Sequence, residues 1–200
     1  MKKPYQDQQV QYSLYEEELK ELAYNPTGFF GKMMYKASRK LSSSMDLTYT
    51  FNVAVSDYLR AEFFCDDISE EIEGEFTQQM LTSILLDDFL YQAKKRNNPY
   101  DLYRHLTKQM EQSSIEVFTY NGERDILHLG ENTQRRKEME CTIKKKKALR
   151  LEIMLSDVAD LGPEITFSVS DVLQIIYSDF IWKYRTGQLN NVLKKIVERL

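Results

Sequence analysis

The sequence predicts an α+β fold in which an antiparallel β-meander packs against several amphipathic helices. Apolar residues recur every three or four positions through most of residues 1–112 and again after 168, which is the periodicity of amphipathic helices. From about 115 to 155, apolar and polar residues instead alternate, which is typical of half-buried strands. The helices are therefore expected in the N-terminal half and at the C-terminus, with the sheet between them.

The first helix is predicted from about Gln8 to Tyr24, and a basic amphipathic helix from Phe29 to Leu41. The next segment, 47–65, fits two patterns. Its alternation predicts a strand at 47–55 followed by a helix, whereas apolar residues at every fourth position also fit one continuous helix. The Thr-, Val- and aromatic-rich composition favours the strand, and a single helix from Asp46 to Cys65 is the alternative.

An acidic run beginning at Asp66 opens the longest predicted helix, about Ile68 to Arg96, because carboxylates favour the first turn of a helix. Another helix follows at about 100–112. The C-terminus is predicted to contain two more helices, one ending near Arg185 and one that extends to Leu200. No internal repeat is evident.

The meander is predicted to contain two hairpins. Asn121-Gly122 between apolar runs indicates the first, with its register open between a two-residue turn and a three-residue loop. The second surrounds Lys144–Lys147, with apolar residues at odd positions before and after it. An odd-length loop keeps both sets on one face, so the lysine block is predicted to lie in a hairpin loop, with its return strand at 149–155.

The length of 200 residues allows a single domain, 1–200, with division into a helical lobe, 1–112, and a lobe of sheet and C-terminal helix, 113–200, as the alternative. The net charge of −4 argues against nucleic-acid binding by the whole surface, although local patches remain available. No apolar run approaches the roughly 20 residues of a membrane span, so we expect a cytoplasmic protein.

The residues that usually carry chemistry are sparse. His105 follows Asp101 by four residues and shares its helix face, but no further ligand stands at a suitable spacing. Cys65 and Cys141 lack a local catalytic signature, and no Gly-x-Ser-x-Gly motif occurs. The sequence therefore predicts no catalytic, cofactor-binding or metal-binding residue, no cofactor, and a protein that is not an enzyme.

Charge is segregated along the chain. Residues 57–88 are almost purely acidic, with Arg60 as the single basic residue. We therefore expect a non-catalytic adaptor or regulator that binds another protein through charged surfaces and that self-associates. The alternative is a nucleic-acid-binding protein that uses the lysine-rich hairpin 135–150. The candidate partner or phosphate contacts are Arg135, Arg136, Lys137, Lys144, Lys145, Lys146, Lys147 and Arg150.

Overall fold

The computed structural model describes residues 12–24, 31, 33, 45–111, 114–118, 124–128, 135–162 and 166–200. In this part of the chain the α+β class is confirmed, while the predicted helix 29–41 falls almost wholly outside it. The elements are α1 (Ser13–Ala23), β1 (Asp46–Ala54), α2 (Val55–Glu71), α3 (Gln78–Arg96), α4 (Pro99–Glu111), β2 (Ser114–Phe118), β3 (Arg124–His128), β4 (Arg136–Lys144), α5 (Lys145–Ala159), α6 (Val169–Arg185) and α7 (Val192–Val197).

Strands β1 and β4 pair as an antiparallel ribbon. The hydroxyl oxygens of Thr48 and Thr142 lie 3.3 Å apart, and the Lys144 ammonium lies 2.8 Å from the Asp46 carboxylate, which fixes the register. Burial alternates along both strands, as expected for a sheet with one face in the core. The strand predicted at 47–55 is therefore confirmed, and α2 follows it directly.

The lysine block begins a helix, so the predicted lysine loop and the return strand 149–155 are wrong. Lys, Ala, Leu, Arg and Glu dominate the start of α5, and all are good helix formers. The odd-numbered apolar residues coexist with a second set at helical spacing. That second set is the one that α5 buries: Ala148, Leu151, Leu155 and Val158.

The predicted single helix 68–96 is also wrong, because a turn separates α2 from α3. Glu73 adopts the left-handed conformation (φ 51°) and Gly74 follows it. The Thr77 hydroxyl then caps α3 by accepting the Met80 backbone N–H (3.3 Å). A left-handed residue followed by an N-cap ends one helix and starts the next.

Strands β2 and β3 form the first predicted hairpin, which is confirmed. Ile115 pairs with Leu127 and Glu116 pairs with Ile126. Paired residue numbers thus have an even sum, which requires an odd number of connecting residues. The connection itself lies outside the described residues.

The chain divides into two compact units, each built from two segments. Unit 1 comprises 1–47 and 143–169, and α1 packs on α5 within it. Unit 2 comprises 48–142 and 170–200, and its core is aromatic: the ring centroids of Phe64 and Phe180 lie 5.2 Å apart in an edge-to-face contact. The single-domain prediction stays a prediction.

The order of the elements repeats along the chain, which was not evident in the sequence. Repeat A is β1, α2 and α3, and repeat B is β4, α5 and α6. The strands and first helices begin 90 residues apart, and the second helices begin 91 apart. Identical pairs at these offsets include Leu59/Leu149, Arg60/Arg150, Glu62/Glu152, Phe76/Phe167, Asp88/Asp179 and Phe89/Phe180.

The junction from strand to helix is the same in both repeats. Ala54 (φ −63°, ψ 137°) and Lys144 (φ −63°, ψ 135°) are the last strand residues, and a helix starts at the next position. The first helical N–H groups then bond across the ribbon. Val55 donates to the Arg135 carbonyl (2.9 Å), and Lys145 donates to the Met45 carbonyl (2.8 Å).

Candidate functional site

A cleft of about 410 Å³ lies in unit 2 beside α2. This volume falls within the range of small-ligand and side-chain pockets. One wall belongs to α2, the floor to the start of α3, and the other wall to β4. The lining residues are Tyr58, Glu62, Cys65, Asp66, Phe76, Thr77, Gln78, Gln79, Lys137, Glu138, Met139 and Glu140.

The cleft is acidic, since it contains four carboxylates and one ammonium group. The ammonium of Lys137 lies 3.5 Å from the centroid of the Tyr58 ring, in a cation–π contact. Among the described residues, no hydrogen bond or ion pair involves the side chains of Glu62, Asp66, Glu138 or Glu140. Like charges in one cleft repel each other, so a cationic or N–H-donating ligand would lower this electrostatic repulsion.

The floor of the cleft is fixed by a buried hydrogen-bond chain. The Gln78 amide donates to the Tyr58 carbonyl (3.3 Å) and accepts from the Tyr177 hydroxyl (2.6 Å). Burial raises the pKa of Tyr177, so its hydroxyl stays protonated and remains a donor. The amide nitrogen and the amide oxygen of Gln78 are therefore both hydrogen-bonded within the protein.

Cys65 lies at the base of the cleft but is not an activated nucleophile. Burial, followed by the nearby Asp66 and Glu62 carboxylates, raises the pKa of its thiol to about 12. The reactive species of cysteine is the thiolate, which is negligible at neutral pH when the pKa is this high. The electrostatics of the cleft therefore keep Cys65 in its thiol form.

His105 has a packing role. Its ring stacks on Phe89, with ring centroids 6.3 Å apart. Burial lowers its pKa, and Arg96 adds to the effect, so the imidazole is neutral at pH 7. Across the described ranges, no group of three or more His, Cys, Asp or Glu side chains is placed to hold a metal ion.

The predicted basic residues do not share one hairpin tip. Arg135, Arg136 and Lys137 stand where β4 begins, whereas Lys144 ends β4 and pairs with Asp46. Of the others, Lys145, Lys146 and Lys147 form the first turn of α5, and Arg150 follows in its second. Their role as partner or phosphate contacts stays a prediction.

An exposed apolar stripe on α2 was missed by the sequence reasoning. Val55, Leu59 and Phe63, here the α2 stripe, are 41%, 49% and 63% exposed. Their spacing of four residues puts them on one helix face. The sequence showed this spacing but could not show that it faces away from the core. On the same helix, Glu62 and Asp66 line the cleft and also lie beside the α2 stripe.

Comparison with protein-family models, curated proteins and solved structures finds no match to this chain. No helix among the residues described is long and apolar enough to cross a membrane. The functional proposal therefore depends on the cleft and the α2 stripe.

Proposed function

We propose that this chain is a non-catalytic protein that binds another protein through the exposed face of α2. The observation that carries the proposal is the α2 stripe. Three large apolar side chains in one row, exposed to water and bordered by charges, are characteristic of an interaction surface. An isolated exposed apolar residue would need no such explanation.

The charges around the α2 stripe favour a basic partner. Glu62, Asp66, Asp67 and Glu70 are exposed on α2, and Arg60 is the one basic residue of this helix. Such a field accelerates encounter with a positively charged surface, while the buried apolar contacts supply most of the affinity. The partner expected here has an apolar row bordered by Lys or Arg.

The test compares the wild-type chain with a Leu59→Ser/Phe63→Ser variant, immobilised at equal density. Tyr91→Ser is the matched control, because Tyr91 is 65% exposed on α3 of the same unit. We expect proteins that the wild type and the control retain to be lost from the double variant. A purified partner from that set should bind the double variant at least about tenfold more weakly.

Equal binding of that purified partner to the double variant and the wild type would contradict the proposal. Self-association is measured in parallel by light scattering at low salt. If the α2 stripe joins two copies, only the double variant should shift toward the monomer.

Nucleic-acid binding is the second candidate, and one observation favours it. Lys145, Lys146 and Lys147 occupy the first turn of α5, where the helix dipole is already positive. A positive helix end of this kind attracts anions such as phosphate. The exposed Glu138 and Glu140 of β4 oppose this function, because they would face the same polyanion if the ribbon lay against it.

Salt dependence of binding to a DNA duplex tests the second candidate. Replacing Lys145, Lys146 and Lys147 with Ala should lower the log–log salt slope by up to about 3, since each phosphate contact contributes about 0.9. Lys194→Ala/Lys195→Ala is the control, because these exposed lysines lie on α7. An unchanged slope in the triple variant would exclude this use of α5.

A further inference from the structure

In unit 1, a helix N-terminus is docked on repeat B. The Glu152 carboxylate is 5% exposed and accepts the backbone N–H groups of Tyr15 (3.0 Å) and Leu14, at the start of α1. The Tyr12 hydroxyl donates to the Leu155 carbonyl (3.2 Å) and lies 3.4 Å from the Phe167 carbonyl oxygen. We name Glu152, Leu155 and Phe167 the α1 seat.

The counterparts of the α1 seat in repeat A line the cleft. Glu152 corresponds to Glu62, Leu155 to Cys65, and Phe167 to Phe76. All three counterparts are lining residues of the cleft in unit 2. Glu62 is exposed, whereas Glu152 is buried. Glu152 thus holds a helix, whereas Glu62 stands in an open cleft. At the other two positions the Ser69 hydroxyl donates to the Cys65 carbonyl (2.9 Å) and lies 3.4 Å from the Phe76 carbonyl oxygen, as the Tyr12 hydroxyl does in the α1 seat.

We infer that the cleft is a docking site for the N-terminal turn of a helix from a partner protein, held by Glu62 as the start of α1 is held by Glu152. This inference rests on the proposed function, because it names the chemistry of the partner. The first N–H groups of any helix lack partners within the helix, and a carboxylate satisfies both their hydrogen bonding and the helix dipole. Glu62 provides that carboxylate here.

Charge complementarity decides which helix fits. Besides Glu62, the cleft contains the carboxylates of Asp66, Glu138 and Glu140, and the counterpart of Asp66 on α5 is the neutral Ser156. The first turns of α1 carry Glu16, Glu17 and Glu18, which the extra carboxylates would repel. The occupant is therefore a helix that carries Lys or Arg in its first turns. The α1 helix of a second copy has the wrong charge.

Two synthetic peptides serve as probes. One has the sequence of residues 12–24, and the other carries Glu16→Lys, Glu17→Lys and Glu18→Lys in that sequence. Each is titrated into the full chain, and binding is followed by the backbone NMR signals of Tyr58, Cys65 and Phe76. We expect saturable shifts at these signals with the basic peptide and an affinity at least about tenfold weaker with the native one.

Variants at two carboxylates test where the N-terminal turn of the peptide binds. Glu62→Ala should weaken the basic peptide by about tenfold, and Glu62→Gln by less, because an amide oxygen still accepts N–H bonds. Glu71→Ala is the matched control: Glu71 is exposed on the same helix, does not line the cleft, and should change affinity by less than about twofold. Circular dichroism checks that all three variants are folded.

Three outcomes would overturn the inference. The first is wild-type affinity for the basic peptide in Glu62→Ala, and the second is peptide-induced shifts confined to the α1 seat. The third is tighter binding of the native peptide, which would make a second copy the occupant. None of these decides the proposed function, which the Leu59→Ser/Phe63→Ser variant tests separately. Failure of the cleft and failure of the α2 stripe are thus distinguishable.

Discussion

Glu62 and Glu152 occupy equivalent positions in the first helices of repeats A and B, yet their surroundings differ. Glu152 is buried under the start of α1, whereas Glu62 is exposed in an acidic cleft. The helices that carry them share three buried equivalent positions: Ala61/Leu151, Cys65/Leu155 and Ile68/Val158. A glutamate at this position of the first helix can therefore hold a helix N-terminus, and neighbouring charges determine which helix binds there.

A second matched pair shows the same divergence. Asp179, whose side chain is 7% exposed, accepts from the Lys183 ammonium (2.6 Å) and the Gln109 amide (2.8 Å). Its counterpart Asp88 is 54% exposed and pairs with Arg199 at 2.7 Å. The same residue type at equivalent positions therefore forms a buried ion pair in repeat B and an exposed ion pair in repeat A.

The largest expected loss of stability comes from breaking the buried ion pair of Asp179, and the exposed pair of Asp88 is its comparison. Lys183→Met leaves the buried Asp179 carboxylate without its cation and should lower the free energy of unfolding by about 2 kcal/mol. Arg199→Met breaks an exposed pair and should cost less than about 0.5 kcal/mol. Urea unfolding at neutral pH measures both. Equal losses would show that the two aspartates are not differently buried.

An intermediate effect is expected when the two matched glutamates are truncated. Glu152→Ala removes the acceptor for two backbone N–H groups of α1 and should cost about 1 kcal/mol of unfolding free energy. Glu62→Ala has no such partner to lose among the described residues and should be nearly neutral. Denaturant unfolding compares the two variants. A destabilised Glu62→Ala would indicate that Glu62 already has an internal role.

The smallest effect is a change in pH dependence. Burial raises the pKa of Glu152, and the Glu17 and Glu16 carboxylates add to it, although the α1 N–H bonds oppose them. The folded state therefore holds this proton to higher pH than the unfolded state, so stability falls as pH rises from the ordinary glutamate pKa through the raised one. Glu152→Gln should remove this fall.

The relevant measurement is unfolding at several values between about pH 4 and 7. The stability of Glu152→Gln relative to the wild type should increase with pH across that window. A constant difference between the two proteins would mean that Glu152 does not titrate differently on folding.

The sequence was sufficient for the fold class and most element positions, because apolar periodicity reflects burial directly. It failed at α5, where two periodicities overlap. Leu151 and Leu155 belong to both the alternating set and the helical set, so parity alone could not separate them. The turn between α2 and α3 did have a local signal, since Gly74 and Thr77 are a helix terminator and an N-cap.

The candidate site was less accessible to sequence reasoning than the fold. Its lining comes from segments as far apart as Tyr58 and Glu140, which only tertiary structure brings together. The repeat was equally hidden, because its identical residues are few and its offset changes from 90 to 91 between the two helices. The identical residues align only when each element is matched with its counterpart in the other repeat.

The direct junctions from β1 to α2 and from β4 to α5 have a genetic consequence. A helix that starts at the residue after a strand has no spacer to absorb a change in length. One residue inserted after Ala54 would turn α2 by about 100° relative to the ribbon, moving the inner face of α2 away from its core contacts. In-frame insertions should therefore be lethal to folding at residues 54/55 and 144/145.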